Sequence, residues 1–220
     1  MTFRGWTQDA LDFYVGLEAE NSKAYFHAHK QMYDDSVKAP FLALSEEIAG
    51  EFGALHVFRP NRDIRFAKDK TPYKTAAAAV TEGEGGTAYY VQISSTGLFV
   101  GSGYHHLATD QLERFRAAVA DAKTGPKLAT AVAALRKARY EIGTSGALQR
   151  APRGFPNDHP RIELLRLKGM HAGKNFGAPG WIHTAGALDR IVKTWREAGP
   201  VNTWFDKHVG PSTIAPPEPD

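Results

Sequence analysis

Two β-rich runs, Tyr89 to Ser94 and Gly97 to Tyr104, stand only two residues apart about Ser95-Thr96, and this pair constrains the fold more than any other feature of the chain. So short a link leaves no room for a crossover, so the runs pair antiparallel as a hairpin. Single strands alternating with helices, as a doubly wound parallel sheet needs, are absent. Helical periodicity lies on both sides of the hairpin instead. Before it come Thr7 to Leu17, a second segment capped by Asn21 or Ser22 that carries Tyr25, Phe26, His29, Met32, Tyr33 and Val37, and a third from Phe41 to Phe52. Pro40 reads as a break or a first turn between the last two. After the hairpin come Asp110 to Ala120 and Lys127 to Arg139, a helix pair joined by a short link. Arg161 to Leu167 follows as a short helix, then a strand over Lys168 to Phe176 and helices over Ala185 to Ala198 and from Pro200. The expected class is α+β: N-terminal helices, a central and mainly antiparallel sheet, the helix pair, and a C-terminal strand and helices.

With 220 residues, 42% of them hydrophobic, the chain can bury a sizeable core. One α+β domain is expected over 1–209, with 210–220, which holds four prolines, as a disordered tail. Ala76 to Val80 is ambiguous, since alanine favours helix while its position favours strand. Tyr140 to Arg150 is polar and broken by Gly143 and Gly146. The absence of cysteine excludes disulfides and thiol catalysis and fits a reducing cytosol. Met1 to Ala10 has no long apolar run and no stretch is long enough to span a bilayer, so a cytoplasmic protein with no membrane partner is expected.

Charge is concentrated. Arg59 to Lys74 reads R-P-N-R-D-I-R-F-A-K-D-K-T-P-Y-K and carries a net +4, against +3 for the whole chain. Residues 150–174 carry another +4, from Arg150, Arg153, Arg161, Arg166, Lys168 and Lys174 against Asp158 and Glu163. Two basic segments in an otherwise acidic chain point to a local anionic partner and not to a general nucleic-acid coat. Within the first, Arg62 to Ala67 alternates as a strand would, with Ile64 and Phe66 facing a core and Asp63 and Arg65 facing out. Lys68 to Pro72 reads as a turn. Arginine offers a rigid fork that suits carboxylate or phosphate. Interleaved aspartates either orient those forks or neutralise them as a structural ion-pair network.

The same stretch resembles the signature of a bacterial and fungal family, domain of unknown function 2461, which shows R-P-x-R-D-x-R-F-S-K-D-K-x-P-Y-K-T. The similarity extends to Asn21, Tyr25-Phe26, Tyr33, Tyr89-Tyr90, Gly97 to Tyr104, and Pro152-Arg153-Gly154 through Lys168-Gly169. Ala67 stands where the family has serine, which removes that position as a candidate for chemistry. The resemblance implies a shared fold and carries no activity.

No metal or cofactor is expected. His27 and His29 would point apart on a helix, His105 and His106 would face opposite ways in a strand, and neither H-E-x-x-H nor a phosphate loop occurs. No G-x-S-x-G is present, so whether the protein is an enzyme stays open. The favoured reading is a site for an anionic small molecule. Its candidate ligands are Arg59, Arg62, Asp63, Arg65, Lys68, Asp69, Lys70, Tyr73, Lys74 and Tyr104, with Arg153, His159, Arg161, Arg166 and Lys168 from the second basic segment. The second reading is a nucleic-acid module using the same cations for phosphates and Tyr73, Tyr89, Tyr90 and Tyr104 for stacking. A non-catalytic structural role is the third.

Overall fold

The structure, a computed structural model, describes residues 2–65, 68–82 and 86–214. It is α+β, with helices α1 (Gln8–Ala19), α2 (Lys23–Ala28), α3 (Lys30–Met32), α4 (Ala39–Phe52), α5 (Thr109–Ala120), α6 (Gly125–Lys137), α7 (Ile162–Leu165), α8 (Gly186–Glu197) and α9 (Gly199–His208). The strands are β1 (His56–Val57), β2 (Ala76–Glu82), β3 (Ala88–Ser94), β4 (Gly97–Tyr104), β5 (Glu141–Gly143) and β6 (Met170–Gly177). They form one antiparallel sheet in the order β1-β2-β3-β4-β6-β5, with the expected β3–β4 hairpin at its centre. The chain divides into two compact units. The first comprises Met1–Thr81, Tyr90–Val100 and Asn175–Thr194, and the second Glu82–Tyr89, Gly101–Lys174 and Trp195–Asp220.

The first unit has an aromatic core. Helix α1 buries Ala10, Leu11, Phe13, Tyr14 and Leu17, the stripe that its 3.6-residue period places on one side. Phe13 meets Phe26 and Tyr33 at ring separations of 5.8 and 5.4 Å, and Trp6 packs edge-on between Phe3 and Phe41. Ser22 caps α2 by accepting the Tyr25 N–H. From Lys30 the chain winds without a break into α4, passing through a π-helical segment, Tyr33–Lys38. Of the two expectations at Pro40, a break or a first turn, the structure has the first turn, with a wider turn just ahead of it. A proline has no N–H for the i−4 carbonyl and its ring crowds that carbonyl, and Pro40 sits in the first turn of α4, where neither penalty applies in full.

The second unit is centred on Phe115, Trp204 and Phe205. Phe205 stacks on Phe115 and on Tyr104, at 5.3 and 5.0 Å. The Trp204 indole N–H donates to the Thr124 carbonyl at 3.0 Å, in the link between α5 and α6. Residues 210–214, within the segment expected as a tail, are bonded to α5. The Gly210 carbonyl accepts from Gln111, Pro211 from Arg114, and the Asp110 carboxylate accepts from Ser212 and Thr213. The remainder of that segment, 215–220, lies outside the described residues.

One ambiguity is resolved and two local expectations change. Ala76–Glu82 is a strand, as its position favoured: β1 pairs with it, and Ala77, Ala78 and Ala79 are buried. The polar stretch from Tyr140 contains β5, whose three residues pair antiparallel with β6; so short an edge strand has no alternation to read. Residues 62–65 are not a strand, and Phe66 and Ala67 lie outside the described residues. Asn61 and Tyr73 form one isolated antiparallel bridge, flanked by bonds from Arg62 N to Pro72 O and from Lys74 N to Pro60 O, both 2.9 Å. In each flanking pair the reciprocal donor would be Pro60 or Pro72, which has no N–H, so the ladder stops there.

Gly97 has φ +109, and a Cβ built on it would lie 1.9 Å from the Gly177 carbonyl oxygen. Gly97→Ala is expected to destabilise by about 3 kcal/mol, from backbone strain and overlap together. Gly50, inside α4 with open space around it, is the control: Gly50→Ala should add about 0.5–1 kcal/mol. Denaturant melts of the two variants read both values. In the second unit, removing residues 210–220 should lower Tm, and should lower it less in Asp110→Asn, because the two changes share the bonds of Asp110 to Ser212 and Thr213.

Candidate functional site

The described part of the basic stretch is closed at its base by the Asn61–Tyr73 bridge and anchored to the helices through Tyr73. Asn21, just before α2, donates its side-chain N–H to the Tyr73 carbonyl at 3.0 Å and accepts the Tyr73 N–H at 3.1 Å. One amide thus does for Tyr73 what a neighbouring strand would do. The Tyr73 ring, 5% exposed, stacks on Phe26 at 4.2 Å with only 10° between the planes. Tyr73 is an anchor, and its burial takes its ring away from the surface.

Beyond the anchor the loop ties itself with charge. Arg62 donates to Asp69 and, at 2.7 Å, to the Thr71 hydroxyl. Asp69 also accepts the Thr71 N–H at 2.9 Å, and this bond, with the hydroxyl and Arg62, holds its carboxyl below the usual range. Arg65 grips Asp63 through two nitrogens, Nη2 at 2.9 Å and Nε at 3.1 Å. That side-chain bonding is the main cause that brings the Asp63 carboxyl down to about 2. Lys70 donates to the Ile64 carbonyl at 2.9 Å, and Lys68 is exposed. The Arg65–Asp63 pair is itself largely exposed, at 65% and 46%, so it adds little to global stability.

At its base the loop opens onto a cleft of about 710 Å³ in the first unit. The loop contributes Arg59, Pro60 and Lys74; β1 and the residue after it contribute His56, Val57 and Phe58; the helices contribute Phe26, Lys30, Tyr33, Asp34 and Lys38. Four cations therefore face one carboxylate, and that carboxylate, Asp34, is paired with Lys30. Among the described residues Lys38 and Lys74 pair with no carboxylate, and Arg59 makes no direct ion pair, although its charge also acts on Asp63. Lys74 donates to the Arg59 carbonyl at 3.0 Å and lies 5.4 Å from the Phe58 ring centre. The Tyr33 hydroxyl is raised to about 12, by burial first and then by Asp34, so at neutral pH it is a neutral phenol. The π-helical segment supplies Tyr33, Asp34 and Lys38 to this wall. Segments of that kind recur at functional sites.

Of the residues that sequence reasoning named, Arg59 and Lys74 line the cleft. Arg62 borders a second, smaller one, about 450 Å³, that shares Phe58 and Lys74 with the first. Asp63, Arg65, Asp69 and Lys70 stabilise the loop. The residues of the second basic segment belong to the second unit. There Arg161 donates to the carbonyls of Val119 and Ala120 at 2.6 and 2.9 Å and closes the C-terminal end of α5. His159 accepts the Arg161 N–H, Arg166 pairs with Glu163, and Arg153 and Lys168 are exposed. Tyr104 is buried, and its hydroxyl donates to Asp206 at 2.9 Å, which with burial raises it far above the usual phenol range.

Lys30, Lys38 and His56 were not named from sequence. Lys30, Asp34 and Lys38 recur every four residues, which a helix places along one face, and that spacing was the readable signal. Elsewhere, His105 and His171 bring their Nδ1 atoms to 3.3 Å in the second unit, but among the described residues no three His, Asp or Glu side chains gather as metal ligands. No helix among the described residues is long and apolar enough to cross a membrane.

Fold and cleft together define an α+β protein with a cationic, aromatic-walled cleft beside a self-tied basic loop. The family model described as conserved hypothetical protein (DUF2461) matches residues 9–204, and the chain belongs to that family. No curated protein and no solved structure matches.

Two outcomes test the loop. Asn21→Ala leaves both backbone groups of Tyr73 without their partner, and should cost about 1–3 kcal/mol in denaturant melts. Because the Asp63 carboxyl is depressed from 3.8, its pairing with Arg65 is complete above about pH 4 and is lost as pH falls through about 2. An NMR titration should place the Asp63 midpoint near 2, returning to about 4 in Arg65→Ala.

Proposed function

We propose that this protein binds a small anionic molecule, bearing phosphate or carboxylate, in the cleft between the base of the basic loop and the π-helical segment. The observation that carries the reading is the lining: Lys30, Lys38, Arg59 and Lys74 against the single carboxylate of Asp34, over the rings of Phe26, Tyr33 and Phe58. Like charges set side by side repel unless an anion offsets them. The volume falls in the range of small-molecule sites, and mixed aromatic and cationic walls are how such sites are built. His56 adds an exposed imidazole to the same lining, which leaves room for catalysis at the same place.

Nucleic-acid binding is the weaker reading. It needs exposed rings for bases to stack on, and of the four tyrosines named for it Tyr73 and Tyr104 are 5% and 3% exposed while Tyr89 and Tyr90 are half-buried. A cysteine-free chain suits the reducing cytoplasm, and the reading is of a cytoplasmic small-molecule-binding protein.

The test is a thermal-shift screen with phosphate, sulfate, sugar phosphates and dicarboxylates. An anion at about 100 times its Kd adds roughly 2.7 kcal/mol, a rise of about 5–10 °C for a chain of this size. Lys74→Gln and Arg59→Gln should each reduce that rise, while Lys168→Gln, in the other basic segment, should leave it unchanged. A flat screen on folded protein would overturn the reading.

A further inference from the structure

The ligand's shape is constrained by a second cleft that meets the first at one wall. The larger cleft presents rings and cations together, Phe26, Tyr33 and Phe58 with Lys38, Arg59 and Lys74. The smaller one, about 450 Å³, presents hydrogen-bonding groups instead, with Arg62, Thr75, Tyr90 and Gln92 among its walls. Only Phe58 and Lys74 line both. Lys74 is thus the one cation that a single ligand reaching into both clefts would pass. An ammonium has three protons, and the bond to the Arg59 carbonyl takes one of them.

The smaller cleft has an ordered polar wall. The Tyr90 hydroxyl donates to Gln92 Oε1 at 2.6 Å, which fixes the amide with its oxygen toward Tyr90 and makes its NH2 the donor end. Arg62 is held by Asp69 and Thr71, so its guanidinium is oriented before any ligand arrives. Groups set in place in advance recognise hydroxyl or carbonyl oxygens with less entropy lost on binding. A free inorganic anion would use none of this, and a purely apolar acid would use only the rings.

Resting on the anion-binding reading above, we infer that the ligand is a two-part organic anion: a flat, largely apolar ring for the larger cleft, a phosphate or carboxylate at Lys74, and a hydroxylated arm for the smaller cleft. Nucleoside monophosphates have these groups: the ribose is the hub, carrying a flat base on one side, a phosphate on another, and free hydroxyls that can enter the smaller cleft. The protein holds no phosphate-loop sequence, so recognition falls to side chains and not to a helix N-terminus.

The experiment is isothermal titration of the full chain, at one fixed salt concentration, with phenyl phosphate, glycerol phosphate and a nucleoside monophosphate. The nucleotide should bind about tenfold tighter than either simpler probe, one good added interaction being worth about that factor. Gln92→Leu should weaken the nucleotide by about tenfold and leave phenyl phosphate within twofold. Thr75→Val, at an exposed position, should act in the same direction and serves if Gln92→Leu fails to fold. A nucleotide no tighter than phenyl phosphate, or a Gln92→Leu effect equal for all three probes, overturns the two-part ligand. If the simple phosphates still bind and depend on Lys74 in that case, the anion site itself survives. If no anion binds the folded protein, both readings fall together.

Discussion

One side-chain amide decides where the basic loop sits. Asn21 satisfies the N–H and C=O of Tyr73 at once, and Phe26, on the helix that follows, stacks on the same residue. Without that clamp a segment with a net +4 and two prolines would have one β-bridge to hold it, since Pro60 and Pro72 lack the donors that would extend pairing. With it, the base of the loop is fixed against the helical wall, and Arg59 and Lys74 come to face Lys30 and Lys38. Asp63 and Asp69 are paired within the loop, with Arg65 and Arg62; Asp63 also feels the charge of Arg59, and the base of the loop keeps a net positive charge through Arg59 and Lys74.

The helical wall is as unusual as the loop. A regular α-helix through Tyr33–Lys38 would run directly into Pro40, whose ring and missing N–H disturb the turn before it. The π-helical segment resolves this by widening one turn, and Tyr33, Asp34 and Lys38 of that turn reach the cleft. Tyr33 is buried there while Lys38 stays exposed. A local backbone irregularity and a loop whose aspartates are paired by its own arginines combine to give a candidate site of net positive charge.

Much of the fold was legible because its signals are local. The β3–β4 hairpin follows from a two-residue link, α1 from a single apolar stripe, and α5 with α6 from periodic residues about a short connection. What depends on distant partners was not legible: β5 is only three residues on a sheet edge, and β2 is mostly alanine held in place by its neighbours. The site was half legible. Charge density alone marked Arg59 and Lys74. Lys30, Lys38 and His56 join them only through packing, and an aromatic in a basic run reads the same whether, like Tyr73, it is a buried anchor or a surface contact. Arg161 shows the converse, a cation in a basic run whose guanidinium is taken up by backbone carbonyls at the end of α5.

On the function proposed above, the cationic cleft, and no other basic part of the chain, receives an anion. Backbone amide NMR during titration with inorganic phosphate tests it most directly, because it reports every segment in one experiment. The account predicts saturable shifts in residues 30–38 and 56–60 and at Lys74, with residues 150–174 unmoved. Shifts confined to residues 150–174, or none at millimolar phosphate, would contradict it.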